Sequence, residues 1–255
     1  MTTLQQAIEA VSAEKAFIPY MMAGDGGLEN IKKQILFLQQ NGATAIEVGI
    51  PFSDPVADGP VIQAAGIRAL QAGANLRNIL AQLKAIKDEV TVPLVVMTYL
   101  NPIINFGIEA FAEAAQEANV KGLIIPDMPL EESALIKPAL AGKDIALVQL
   151  ISLTSPQARI DKLAAAAEGF IYAVTVNGIT GARKGFDESL HTHLAQLKSS
   201  SNIPVLAGFG ISTREHVEDM NRTVDGVIVG SAIVQAFHEG RDADIVALMK
   251  AAAHQ

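Results

Sequence analysis

The 255-residue chain contains no cysteine, which excludes disulfides, thiolate metal sites and cysteine nucleophiles and is compatible with a reducing compartment. Basic residues are in deficit. Nineteen Lys and Arg against 27 Asp and Glu give a net charge of -8, which argues against general affinity for nucleic acid or anionic membranes but leaves room for a local anion site. No stretch reaches the charge-free apolar length that a membrane helix needs. The opening segment MTTLQQAIEAVSAEK carries acidic residues and no apolar centre, so it does not read as a signal peptide. A cytoplasmic protein is expected. Linker-like Pro/Gly/Ser runs and single-sign charge runs are also missing, while half the residues are hydrophobic and 18% are charged. That composition predicts one domain spanning residues 1–255.

Short apolar runs rich in β-branched residues alternate with longer stretches of helical period, as in successive βα units. Strands are expected at 17–21, 45–48, 94–98, 122–125, 145–150, 170–174, 205–207 and 227–229. Helices are expected at 29–40, 61–87 with a break at Gly73, 108–119, 131–140, 156–168, 188–198, 213–220 and 232–237. One more helix at 4–11 opens the chain, and another at 242–253 closes it. Eight strands, several of them apolar on both faces, predict an α/β fold: a single-domain (β/α)8 TIM barrel with an additional N-terminal helix. The alternative is an open doubly wound sheet, disfavoured because no Gly-x-Gly-x-x-Gly follows the first strand. In a barrel, chemistry resides where strands end and βα loops begin.

The second strand runs into Glu47-Val48-Gly49-Ile50-Pro51-Phe52-Ser53-Asp54-Pro55-Val56-Ala57-Asp58-Gly59-Pro60. Side chains alternate along a strand, so Ala45, Glu47 and Gly49 can face the barrel interior while Ile46 and Val48 face the helices. A carboxyl group at an apolar mouth has a raised pKa and can serve as acid and base near neutrality. A salt bridge at the strand end is the competing role for Glu47. Residue type does not separate Asp54 from Asp58, since Asp54-Pro55 and Asp58-Gly59-Pro60 both carry turn chemistry.

Three glycine-containing strand ends fall in the last third of the chain: Asn177-Gly178-Ile179-Thr180-Gly181, Gly208-Phe209-Gly210-Ile211-Ser212 and Gly230-Ser231-Ala232. Close backbone approach and free amides at a helix start suit a phosphate, and the loops after strands seven and eight are its usual place in this barrel. Ser212 can also open a capping box with Glu215, and Ser231 can cap the next helix. Schiff-base chemistry would need a lysine inside a strand, yet Lys15 and Lys121 read as preceding strands and Lys184 as lying in a loop. His191 and His193 point to different sides of one helix, and His216, His238 and His254 are isolated, so no metal site is expected and all five read as surface residues.

Against this background the segment IEVGIPFSDPVADGPVIQ resembles the signature of the tryptophan synthase alpha family. FIPYMMAGDGG, GLIIPDMPLEE, GITGARKG, GFGIS and GSAIV resemble further segments of that family in the same order, so the resemblance spans essentially the whole chain. It implies retro-aldol cleavage of indole-3-glycerol phosphate, with Glu47 as the principal acid–base residue, Asp58 as the second catalytic carboxylate and Tyr172 beside them. It further implies a phosphate held around Thr180, Gly181, Gly210, Ile211, Gly230 and Ser231, and an indole pocket lined by Tyr20, Met97, Phe209 and Ile211. No cofactor is implied in this chain; pyridoxal phosphate is expected in a beta-subunit partner, within an allosteric α2β2 complex. A stand-alone indole-releasing lyase and a non-catalytic phosphate-binding barrel are the competing readings. The GDGG turn and the VNGITGARKGF loop depart from the usual family wording.

Overall fold

The computed structural model describes residues 2–11, 15–175 and 188–252. Nine parallel strands form one sheet: β1 (Ala16–Met22), β2 (Ile46–Gly49), β3 (Leu94–Met97), β4 (Val120–Ile124), β5 (Ala146–Leu147), β6 (Gln149–Ser152), β7 (Ile171–Val174), β8 (Val205–Gly208) and β9 (Gly226–Val229). Their order is β5-β4-β3-β2-β1-β9-β8-β7-β6. The eight-strand expectation differs only at the fifth strand, which divides at Val148. Its first half pairs with β4 and its second half with β7, while the Val148 N–H donates to Leu123 O at 3.0 Å. The two ends of the sheet therefore meet in consecutive residues, giving a (β/α)8 TIM barrel whose fifth staves are offset. Strands β1, β2, β3, β8 and β9 are buried at every position, as required of a sheet covered by helices outside and filled by side chains within.

The helical layer follows the predicted periodicity with two refinements. The long stretch after β2 divides at the expected break around Gly73 into helices Pro60–Gln71 and Leu76–Ile86, the second opened by an Asn75/Asn78 capping box. After β3 an unforeseen helix, Leu100–Phe106, carries Pro102 in its first turn, where a missing N–H costs little. The helix expected at 131–140 is a 3₁₀ segment, Leu130–Leu135, followed by the short helix Lys137–Leu140. The N-terminal helix Leu4–Ala10 closes the lower end of the barrel: Leu4 packs so tightly that a Cβ on Gly122 or Gly169 would come within 2.7 or 2.9 Å of it.

Two sequence readings require correction here. Lys121 lies within β4 rather than before it, but at the lower end of the strand, paired with Asp144 at 2.7 Å. His191 is a half-buried bridge, contacting Thr223 at 2.7 Å and Asp219 at 3.2 Å. The atypical GDGG turn is fixed by a two-pronged ion pair, Arg68 Nε to Asp25 Oδ1 at 2.7 Å and Arg68 Nη2 to Asp25 Oδ2 at 2.6 Å. The VNGITGARKGF loop, with Thr180, Gly181 and Lys184, lies outside the described residues.

Candidate active site

Strand register brings the site together at the upper mouth of the barrel. Tyr20 on β1 pairs with Glu47 on β2, and Glu47 with Val95 on β3. Glu47 is only 1% exposed, and its Oε2 has no hydrogen-bond partner among the described residues. A buried ionised carboxylate without a partner is costly, so the group responds by holding its proton. Burial first, and the nearby Asp58 charge second, push the Glu47 carboxyl up to about 8. Among the described residues no cation forms a salt bridge with Glu47.

Glu47 faces a cavity of about 320 Å³, whose wall also contains Asp58, Tyr20, Met97, Tyr172, Phe209, Ile211 and Gly230. Asp58 is half-buried. Burial raises its pKa to about 6, while the neighbouring Tyr99 hydroxyl acts in the opposite direction. The upward shift is thus larger for the more deeply buried Glu47, so of the two carboxyl groups it is the one that keeps its proton to higher pH. Environments that separate two carboxyl pKa values in this way assign acid and electrostatic roles. Asp54, exposed and bonded to Ser53 at 2.5 Å, is not part of the cavity wall.

Two tyrosine rings flank Glu47, and each occupies space that a glycine leaves open. A Cβ on Gly49 would lie 2.0 Å from Tyr20 Oη, and one on Gly208 would lie 2.3 Å from Tyr172 Cε1. Both rings are buried, and burial raises both hydroxyl pKa values well above the ordinary tyrosine value, so the rings remain neutral donors. Tyr172 also packs against Phe209, with centroids 5.7 Å apart. Phe209 has a φ of 70°, a strained conformation for a bulky residue. Thr175 stabilises that turn: its backbone N–H donates to Gly208 O at 3.0 Å, and its hydroxyl lies 2.5 Å from the carbonyl oxygens of Gly208 and Phe209.

Opposite the carboxyl groups lie the glycine turns. Helix Ser231–His238 has Gly230 as its N-cap and no side-chain cap, so Ser231 is the first helical residue rather than the cap expected from sequence. Helix Arg214–Asn221 is capped by Thr213, whose hydroxyl accepts the His216 N–H at 3.2 Å, and not by Ser212. Gly210, Ile211, Ser212, Gly230 and Ser231 all line the cavity, with the Ser212 N–H directed to His216 Nδ1 at 3.4 Å. Free amides at a helix start favour an anion there.

Ten of the site residues named from sequence therefore meet in one cavity, namely Glu47, Asp58, Tyr172, Tyr20, Met97, Phe209, Gly210, Ile211, Gly230 and Ser231. Thr180 and Gly181 lie outside the described residues. Ala57, Gly59, Ile62, Pro126, Ser212 and Ile228 complete the wall. Tyr99 and Thr175, which hold the wall from behind, were not foreseen. Of the two, Tyr99 had one available signal, its position immediately after a strand end.

A parallel (β/α)8 barrel whose upper mouth gathers two carboxyl groups of raised pKa and two glycine turns around one largely apolar cavity has the form of an enzyme site supplied with acid–base groups. Residues 7–255 match the family model described as tryptophan synthase alpha chain. The chain is 55% identical over 238 residues to the tryptophan synthase alpha chain of Listeria monocytogenes, covering 93% of this chain and 92% of that one. It is 51% identical over 240 residues to that of Bacillus cereus, covering 94% and 93%. Among solved structures, tryptophan synthase from Mycobacterium tuberculosis aligns with a TM-score of 0.90 at 32% identity, covering 100% of this chain and 99% of that one. The alpha subunit from Legionella pneumophila aligns with a TM-score of 0.88 at 31% identity, covering 99% and 98%. The chain belongs to the tryptophan synthase alpha chain family, and its activity is the lyase half-reaction that cleaves indole-3-glycerol phosphate.

Proposed function

We propose that Glu47 and Asp58 divide this cleavage between them, a reading carried by the buried Glu47 carboxyl, whose Oε2 has no partner among the described residues, beside the half-buried Asp58 in one cavity. Protonated Glu47 delivers its proton to the indole ring carbon that bears the side chain. Asp58 accepts the indole N–H and stabilises the positive charge that develops on nitrogen as the ring becomes an indolenine. Glu47, now a carboxylate, takes the proton of the side-chain hydroxyl. The C–C bond then breaks, its electron pair restores the indole ring, and the hydroxyl carbon leaves as the aldehyde of glyceraldehyde 3-phosphate. Glu47 ends the cycle protonated, as it began. Tyr20 and Tyr172 position the reacting end of the substrate, and Met97, Phe209 and Ile211 hold the flat ring. The amides around Gly210, Ile211, Gly230 and Ser231, together with Thr180 and Gly181, hold the phosphate.

In this reading the whole chain works as one cytoplasmic domain and joins a beta subunit in an α2β2 complex. Pyridoxal phosphate belongs to the partner, which consumes the indole. Support for docking over the barrel mouth comes from Val56, Ile104 and Leu135, apolar side chains that are 84%, 52% and 47% exposed in the segments following β2, β3 and β4. The purified chain is expected to release indole slowly and to accelerate by at least roughly tenfold on addition of its beta subunit, which requires only about 1.4 kcal/mol off the barrier. The assay is turnover of indole-3-glycerol phosphate against added partner. Full activity alone, unchanged by the partner, would identify a stand-alone lyase instead.

A further inference from the structure

We propose that Tyr99 is the positioning residue that holds Asp58 against the substrate nitrogen, an inference that rests on the role assigned to Asp58 above. Tyr99 lies two residues beyond the end of β3 and is only 4% exposed. Its ring packs against Phe52, at the start of the Asp58 loop, with centroids 5.3 Å apart. Near the other end of the loop its hydroxyl accepts the N–H of Ala57 at 2.9 Å. One side chain thus grips the loop both at its beginning and at the residue before Asp58. Within the loop, the Val56 N–H donates to Asp54 O at 2.9 Å and the Asp58 N–H to Pro55 O at 3.1 Å, so a pull on Ala57 is transmitted to Asp58.

Tyr99 is itself fixed from below. The Thr98 N–H donates to Ile124 O at 3.0 Å, and the Leu100 N–H to Asp127 Oδ1 at 2.9 Å. The titratable groups around this point are Glu47 on β2, Asp58 in the loop, Tyr20 on β1, Tyr172 on β7 and Asp127 beyond β4. Among the described residues, none of them is a cation. Within this set the Tyr99 O–H beside the Asp58 carboxyl is the donor that counters burial and favours the ionised form of Asp58. Its own pKa, pushed up to about 12 mainly by burial, ensures that the phenol retains its proton to donate.

Tyr99→Phe keeps the ring on Phe52 and removes only the hydroxyl. Indole release from indole-3-glycerol phosphate is measured across the pH range for the wild-type chain, Tyr99→Phe, Asp58→Asn and the double variant. Tyr99→Phe is expected to be about tenfold slower at neutral pH, with its acid limb moved to higher pH so that the deficit shrinks toward pH 8. In the Asp58→Asn background the same change is expected to cost no more than about twofold, because residues acting through one another are not additive. Wild-type turnover in Tyr99→Phe, a deficit equal at every pH, or a fully additive deficit in the double variant would each overturn the proposal. Partial unfolding of Tyr99→Phe would deepen the deficit toward pH 8, where the raised Glu47 pKa costs folding stability, and so runs opposite to the shifted limb. Near-normal turnover of Asp58→Asn alone would instead overturn the role of Asp58, a separate outcome.

Discussion

Glu47→Gln is expected to lower indole formation by about 10³-fold or more while substrate still binds, since general acid–base catalysis contributes about 10²–10⁴-fold and this residue moves two protons. The amide fits the same buried space but can neither deliver the proton to carbon nor receive the hydroxyl proton. Steady-state turnover and a binding titration together measure the split between chemistry and affinity. The same variant should gain stability with pH relative to the wild type. Because the folded-state pKa of Glu47 is raised to about 8, folded protein keeps its proton after unfolded chains release theirs. The wild-type contribution is complete below the ordinary glutamate pKa and is lost as pH rises toward 8. Thermal unfolding of both proteins should therefore coincide most closely in acid and diverge, with the variant more stable, toward pH 8. More than a tenth of wild-type turnover, or a stability difference that shrinks with rising pH, contradicts this role.

Asp58→Asn should lose about 10²–10³-fold in turnover, the range associated with removing one preorganised electrostatic group facing a developing charge. Asp54→Asn, four residues earlier in the same loop, should remain within roughly twofold, as expected of an exposed side chain outside the cavity. Parallel turnover and melting measurements on the two variants separate chemistry from loop order. Equal losses with equal stability would mean that the loop as a whole, and not one carboxylate, carries the effect.

The contrast between these aspartates shows where sequence reasoning ends. Both sit in turn-forming dipeptides, so residue type alone left them equivalent, and only family resemblance favoured Asp58. The fold adds the physical reason, because the loop turns Asp58 inward and leaves Asp54 in solvent. Glu47 was legible because strand parity fixes its direction once the barrel is inferred. The glycine turns were legible as phosphate ground, but the helix starts were displaced: Thr213 caps where Ser212 was expected, and Ser231 lies one residue inside its helix. Either serine satisfies capping chemistry locally, and the choice depends on how the preceding turn packs on the barrel. Helix Leu100–Phe106 escaped notice because Asn101-Pro102 reads as a turn, although a proline is tolerated in a first helical turn. Tyr99 was missed for a related reason. An aromatic at a strand end reads as core, and only the tertiary fold shows its hydroxyl meeting Ala57.

The central claim is that the two carboxyl groups hold different protonation states at neutral pH, and carbon-detected NMR titration of the side-chain carboxyls tests it most directly. Glu47 would be assigned by its absence in Glu47→Gln, and Asp58 by its absence in Asp58→Asn. The account predicts that Glu47 titrates near 8 and Asp58 near 6, leaving a neutral acid beside a carboxylate between those values. A Glu47 carboxyl titrating near the ordinary glutamate value of about 4.3 would leave no proton to deliver at neutral pH and would contradict the mechanism.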